Sequence, residues 1–278
     1  MSDRLAVAPI LSRLRDFQRR TVEYVFRRMY LDEERTTRFL VADEVGLGKT
    51  MVARGIIAKT IRHLEEQGVE RIDIIYVCSN AAIANQNLNR LNVYGNRHFT
   101  MATRLTLLPA HLKGLKANRI NFISFTPGTT FDLKNRGGVM EERRVLYQML
   151  RDGFDLSRTG LLNLLQGTAG KDRWRVYAEQ AVELDPHLER LFQKQLRQDR
   201  SLLAKLRETA EEFHRHREFS WEESNRRYQA ISGLRRTLAR VCVDALEPDL
   251  VILDEFQRFK QLLHGDDDAA QLAQALFE

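Results

Sequence analysis

Val41-Ala42-Asp43-Glu44-Val45-Gly46-Leu47-Gly48-Lys49-Thr50 joins the end of an apolar run to a glycine turn and a helix start. It reads as a phosphate cradle. Phe39, Leu40, Val41 and Ala42 have the character of a short buried parallel strand, and helical spacing resumes over residues 51–58. Between them, Gly46 and Gly48 let backbone amides close on a polyphosphate, and the following helix turns its unpaired N–H groups toward the same anion. In that geometry Lys49 reaches the β and γ phosphates and the Thr50 hydroxyl holds Mg²⁺. The bound molecule expected from this pattern is a nucleoside triphosphate. One position departs from G-x-x-x-x-G-K-[ST]: Asp43 stands where the first glycine belongs.

A second acidic anchor lies far downstream. Residues 249–253 restore a buried-strand pattern and deliver Asp254-Glu255-Phe256-Gln257 at the strand's carboxyl end. An acidic pair there suits a nucleotide hydrolase, with Asp254 ordering the water shell of Mg²⁺ and Glu255 polarising the attacking water.

The variant Asp43-Glu44-Val45-Gly46-Leu47-Gly48-Lys49-Thr50, followed in order by Asp254-Glu255, resembles motifs I and II of the Swi2/Snf2 branch of the superfamily 2 helicases (DEAD/DEAH-box-like). Within that branch it is most similar to the bacterial RNA-polymerase-associated ATPases. The resemblance implies an α/β fold: a RecA-like P-loop NTPase lobe with a parallel sheet. It also implies a DNA-dependent ATPase or translocase that acts on double-stranded DNA. The nucleotide contacts would then be Gln18, Asp43, Glu44, Gly46, Leu47, Gly48, Lys49 and Thr50, with Gln18 reading the adenine edge. Thr50 and Asp254 would serve Mg²⁺, and Lys49, Asp254 and Glu255 catalysis. Ser79 and Asn80, with Asn85 and Gln86, fall where motif Ia grips the nucleic-acid backbone, and Thr126 where motif Ib does. Helix capping explains Ser79 or Asn80 equally well, and any tight loop asks for Pro127 and Gly128. Gln257 replaces the histidine that often couples the ATP and nucleic-acid sites in the family.

The rest of the chain is expected to build around these anchors. Residues 10–30 read as one helix, 50–66 as a second ending at Gly68, and 81–91 as a third. Residues 72–78, 104–108 and 119–125 read as strands. From 132 to 245 the pattern is helical throughout, with segments 141–150, 156–166, 173–182, 186–214 and 221–246. Asp185-Pro186 and Ser220-Trp221-Glu222-Glu223 mark two of the starts. The last segment carries a buried stripe of Trp221, Tyr228, Ile231, Leu234, Leu238 and Val241. The resulting division is residues 1–131 and 246–278 as the ATP-binding lobe, with 132–245 as a helical insertion that could contact a protein partner. Motif III and a second lobe do not follow motif II, so a truncated or partial motor is expected.

Composition constrains the alternatives. A formal charge of +6 suits a polyanionic partner without requiring one. The two cysteines, Cys78 and Cys242, each lie in an apolar segment and read as buried, reduced thiols. His214 and His216, two apart on a helix, face different directions and suggest no zinc site. Residues 1–10 lack a secretory apolar core, and no run reaches the roughly 18 residues of a membrane span, so a cytoplasmic location is expected. Two other functions fit the same residues: a nucleotide-dependent adaptor that binds ATP and a protein without turnover, and a subunit of a restriction- or defence-type translocase.

Overall fold

The computed structural model describes residues 5–41, 47–93, 99–101, 104–112, 118–131, 133, 136–215, 220–258 and 260–277. Each of its two compact units is assembled from separated stretches: residues 1–101, 118–126 and 248–256 in one, and 102–117, 127–247 and 257–278 in the other.

The first unit is α/β. Helices α1 (Ala8–Leu11), α2 (Asp16–Phe26), α3 (Lys49–Glu66) and α4 (Ala81–Leu91) accompany strands β1 (Ile72–Val77), β2 (Phe99–Met101), β3 (Ile120–Phe125) and β4 (Leu250–Leu253). The strands form one parallel sheet in the order β2-β3-β1-β4. β1 is buried along its whole length, as expected of a central strand covered on both faces. Asp73 is tolerated within it because its carboxylate meets Arg71 at 2.9 Å and accepts from Asn121 at 2.8 Å, while its amide donates to Asp249 at 2.8 Å. These contacts tie the amino ends of three strands together. Around the sheet, Val22, Val25, Val52, Ile57, Ile61 and Leu250 share one apolar core. α2 packs on α3 at Gly55, where a Cβ would come within 2.7 Å of Val22.

The second unit is helical: α5 (Leu108–His111), α6 (Pro127–Thr130), α7 (Met140–Leu150), α8 (Arg158–Leu165), α9 (Lys171–Glu179), α10 (Pro186–Gln198), α11 (Arg200–Arg215), α12 (Trp221–Ala245), α13 (Lys260–His264) and α14 (Asp268–Phe277). Leu146, Leu164, Phe192, Leu206, Phe213, Leu234 and Leu238 are buried in its core. Asp185 caps α10 through bonds from the His187 and Leu188 amides, and Ser220 with Glu223 closes a reciprocal capping box at α12.

Several sequence expectations are corrected. Phe39, Leu40 and Val41 form no strand. Phe39 turns its ring edge to Tyr24 at 5.8 Å, Leu40 is 64% exposed, and of the three only Val41 packs on the core; Ala42 lies outside the described residues. Residues 104–108 are not a strand either. Leu105–Leu107 is a 3₁₀ turn leading into α5, with Pro109 in the first helical turn where its missing N–H costs nothing. The edge strand falls earlier, at Phe99–Met101. The helix expected over 10–30 breaks between α1 and α2 because Arg15 is extended, its amide bonded to the Gln18 side chain at 3.0 Å. It then widens into a π-helical turn, Arg27–Leu31. The segment 186–214 divides at Asp199, whose carboxylate caps α11 through the Leu202 amide. Trp221 leaves the expected stripe and is 80% exposed, since its helix turn precedes the packed part of α12. Residues 102–117, 127–131 and 257–278, counted with the ATP-binding lobe on sequence, belong to the helical unit. There Leu105, Leu108 and Leu112 are buried, and Phe131 meets Phe277 edge-on at 6.1 Å.

Candidate nucleotide site at the carboxyl ends of the strands

Parallel strands that finish side by side bring their following residues into register. Tyr76 faces Ile252 and Val77 faces Leu253, so the residues that follow each strand, Cys78-Ser79 and Asp254-Glu255, leave the sheet side by side. The Asp254 amide donates to the Val77 carbonyl at 2.8 Å and extends the ladder by one step.

Each carboxylate is held by a neighbour. Asp254 Oδ2 accepts from the Tyr76 hydroxyl at 2.6 Å and from Asn87 Nδ2 at 3.4 Å, and Asn87 also donates to the Tyr76 oxygen at 2.9 Å. Burial first, then the bond to Asp254, pushes the Tyr76 phenol well above its ordinary pKa. It therefore stays a donor. Glu255 Oε2 accepts from the Ser79 hydroxyl at 2.5 Å, and the Glu255 backbone sits at φ 54°. Among the described residues Glu255 alone, apart from glycines, has positive φ. Such conformations are costly and concentrate where a side chain must be aimed.

α3 supplies the opposing element. Its 18 residues span about 27 Å, and five residues separate it from β1, so the helix runs back along the sheet. Its first turn therefore lies at the end where β1 and β4 finish. Gly48, the residue before α3, has φ 79°, and its carbonyl accepts from the Met51 and Val52 amides at 2.8 and 3.3 Å. The buried Gln18 side chain fixes this turn by donating to the Leu47 carbonyl at 2.8 Å. A Cβ on Gly48 would lie 2.5 Å from Gln18 Nε2. Lys49 and Thr50 open the helix half-buried.

The site residues expected from sequence thus separate into groups. Gln18, Leu47, Gly48, Lys49 and Thr50 come together at the start of α3, and Asp254 and Glu255 at the strand ends. Asp43, Glu44 and Gly46 lie outside the described residues. Ser79 bonds Glu255. Asn80 caps α4 through the Ala82 and Ile83 amides at 2.8 and 3.4 Å. Thr126 is half-buried after β3, Gln86 is exposed on α4, and the Asn85 side chain lies outside the described atoms. Sequence reasoning missed Tyr76 and Asn87. The available signal was a tyrosine inside an isoleucine-valine strand, whose hydroxyl needs a partner once buried.

Among the described residues no three His, Cys, Asp or Glu side chains gather into a metal cage. Thr50 and Asp254 offer one hydroxyl and one carboxylate. That pair fits Mg²⁺ carried on a nucleotide, an ion that keeps most of its positions for phosphate oxygens and water. Among the described residues, no helix is long and apolar enough to cross a membrane. The chain matches no family model, no curated protein and no solved structure.

Proposed function

We propose that the first unit is a RecA-like ATP-binding lobe of a Swi2/Snf2-like, DNA-dependent ATPase. The observation that carries the reading is the pair of held carboxylates where β1 and β4 finish. Asp254 is fixed by Tyr76 and Asn87, and Glu255 is aimed from a strained backbone by Ser79. A helix that needed only a cap would require neither.

In this reading the Leu47-Gly48 turn and the α3 amides take the phosphates, and Lys49 adds its charge to the terminal ones. Gln18 has a double task, bracing the turn through Leu47 and facing the base. Thr50 and Asp254 would hold Mg²⁺, which would supply positive charge to the phosphates. Asp254 would orient the water around that ion through its Oδ1, since the hydrogen bonds described above fall on Oδ2. Glu255 would accept hydrogen bonding from the attacking water while Ser79 fixes its direction. Duplex DNA is the proposed polymer, gripped through its phosphates without base reading.

The test is phosphate release from ATP with and without duplex DNA, run beside an ATP-binding titration. Glu255→Gln should keep ATP bound while removing the DNA-stimulated release of the wild type. Release at the wild-type rate by Glu255→Gln would take the glutamate out of the reaction. ATP binding with no DNA-dependent release in either protein would fit a partial motor that lacks its second lobe as well as the adaptor reading.

A further inference from the structure

The helical unit holds a cavity of about 360 Å³ between the loop before α7, the loop after α8 and the first turns of α12. Its lining includes Arg136, Gly138, Arg143, Gly167, Thr168 and Asn225, and among the described residues no carboxylate lines it. Arg143 is more than nine-tenths buried, yet its charge meets no acidic hydrogen-bond partner. Its Nη1 donates to the Gly137 and Gly138 carbonyls at 3.0 and 2.9 Å, its guanidinium lies 5.8 Å from the Trp174 ring centre, and its Nε is buried with no hydrogen-bond partner. The adjacent acid, Glu142, is engaged by Arg235 at 2.9 and 3.1 Å and by Thr106 at 2.5 Å. A second buried arginine, Arg227, bonds the Asn163 and Gly167 carbonyls at 3.0 and 3.4 Å behind the same loop. Burial lowers the pKa of both guanidinium groups; Tyr228 offsets part of this for each, with Glu142 and Glu141 also acting on Arg143, and a neighbouring arginine lowers each slightly further, Arg235 for Arg143 and Arg143 for Arg227.

Buried cations normally meet anions, because carbonyl dipoles replace hydration only in part. Here the cavity floor is cationic, its walls are glycine backbone, and its mouth carries Arg136 joined to Asn225 at 3.3 Å with the exposed Thr168 nearby. We propose that this cavity is a binding site for a small phosphate-bearing molecule, whose phosphate sits against Arg143 and is closed over by Arg136. A guanidinium presents several planar donors to one oxyanion, which suits a single phosphate in a cleft. A duplex backbone, by contrast, would need a row of exposed cations. This site is independent of the ATP reading and lies wholly within the helical unit.

Arg143 supports two loop carbonyls, so its removal could unfold the unit. The exposed Thr168 avoids that difficulty. Inorganic phosphate is the probe, and Lys49→Ala is the background, so that any phosphate bound at the start of α3 is set aside. Thermal unfolding is followed as phosphate rises from about 1 to about 20 mM at constant ionic strength maintained with chloride. Lys49→Ala should melt later as phosphate rises. Lys49→Ala with Thr168→Glu, which puts a carboxylate at the mouth, should melt normally in chloride and bind phosphate at least about tenfold more weakly. No shift in the Lys49→Ala protein, or an equal shift after Thr168→Glu, would overturn the proposal.

Discussion

Replacing Gly48 by alanine should cost stability for two separable reasons. The backbone at φ 79° lies in the left-handed region, which disfavours a Cβ by about 1–2 kcal/mol. The added Cβ would also stand 2.5 Å from Gln18 Nε2, and that amide can withdraw only by giving up its bond to the Leu47 carbonyl, worth about 0.5–1.5 kcal/mol. Together these predict a loss of about 1.5–3.5 kcal/mol for Gly48→Ala. The two parts separate in a double-mutant cycle. In a Gln18→Ala background the steric conflict is gone, and Gly48→Ala should cost only the backbone part, leaving a coupling of about 1 kcal/mol. Urea unfolding of the four proteins measures this directly, and in thermal unfolding each kcal/mol corresponds to about 2–4 °C. An equal cost in both backgrounds would mean that Gln18 does not brace the turn before α3.

Other consequences follow from the same geometry. Glu255→Gly and Glu255→Ala both remove the carboxylate, but at φ 54° glycine should be the more stable by about 1 kcal/mol, the reverse of its effect at an ordinary position; unfolding curves that rank alanine above glycine would contradict the strained backbone. Glu142→Ala leaves Arg235 buried without its carboxylate, and should cost about 3–5 kcal/mol in urea unfolding. A loss below about 1 kcal/mol would mean that the pair does not organise the helical unit.

Much of this architecture was legible in the chain because it depends on local rules. The β1, β3 and β4 runs are mostly apolar, broken only by Asp73, Asn121 and Ser124, with turn residues after them. α3 follows a glycine, the residue that takes the left-handed region without a Cβ penalty, and α10 and α12 announce themselves through Asp185 and Ser220. Where tertiary context decides, the sequence misled. Leu105, Leu107 and Leu108 are as apolar as a strand, but Pro109 and burial in the helical unit turn them into a 3₁₀ turn and a helix. Phe39 and Leu40 are as apolar as a strand too, and part of that surface is met by Tyr24 rather than by a neighbouring strand. At the candidate site, residue types alone pointed to Lys49, Thr50, Asp254 and Glu255. They could not show that Tyr76 and Asn87 converge on Asp254, since those contacts join positions 178 and 167 apart in the chain. Nor could they show that Ser79 holds Glu255, because that depends on how β1 and β4 are paired.

The most direct measurement for the proposed nucleotide site is an equilibrium titration of ATP with Mg²⁺ on the wild type and on Lys49→Ala. Loss of a charge-assisted contact to phosphate should weaken binding by about 1.5–3 kcal/mol, roughly 10- to 150-fold in Kd. Unchanged affinity in Lys49→Ala, or no ATP binding by the wild type, would contradict a phosphate site at the start of α3.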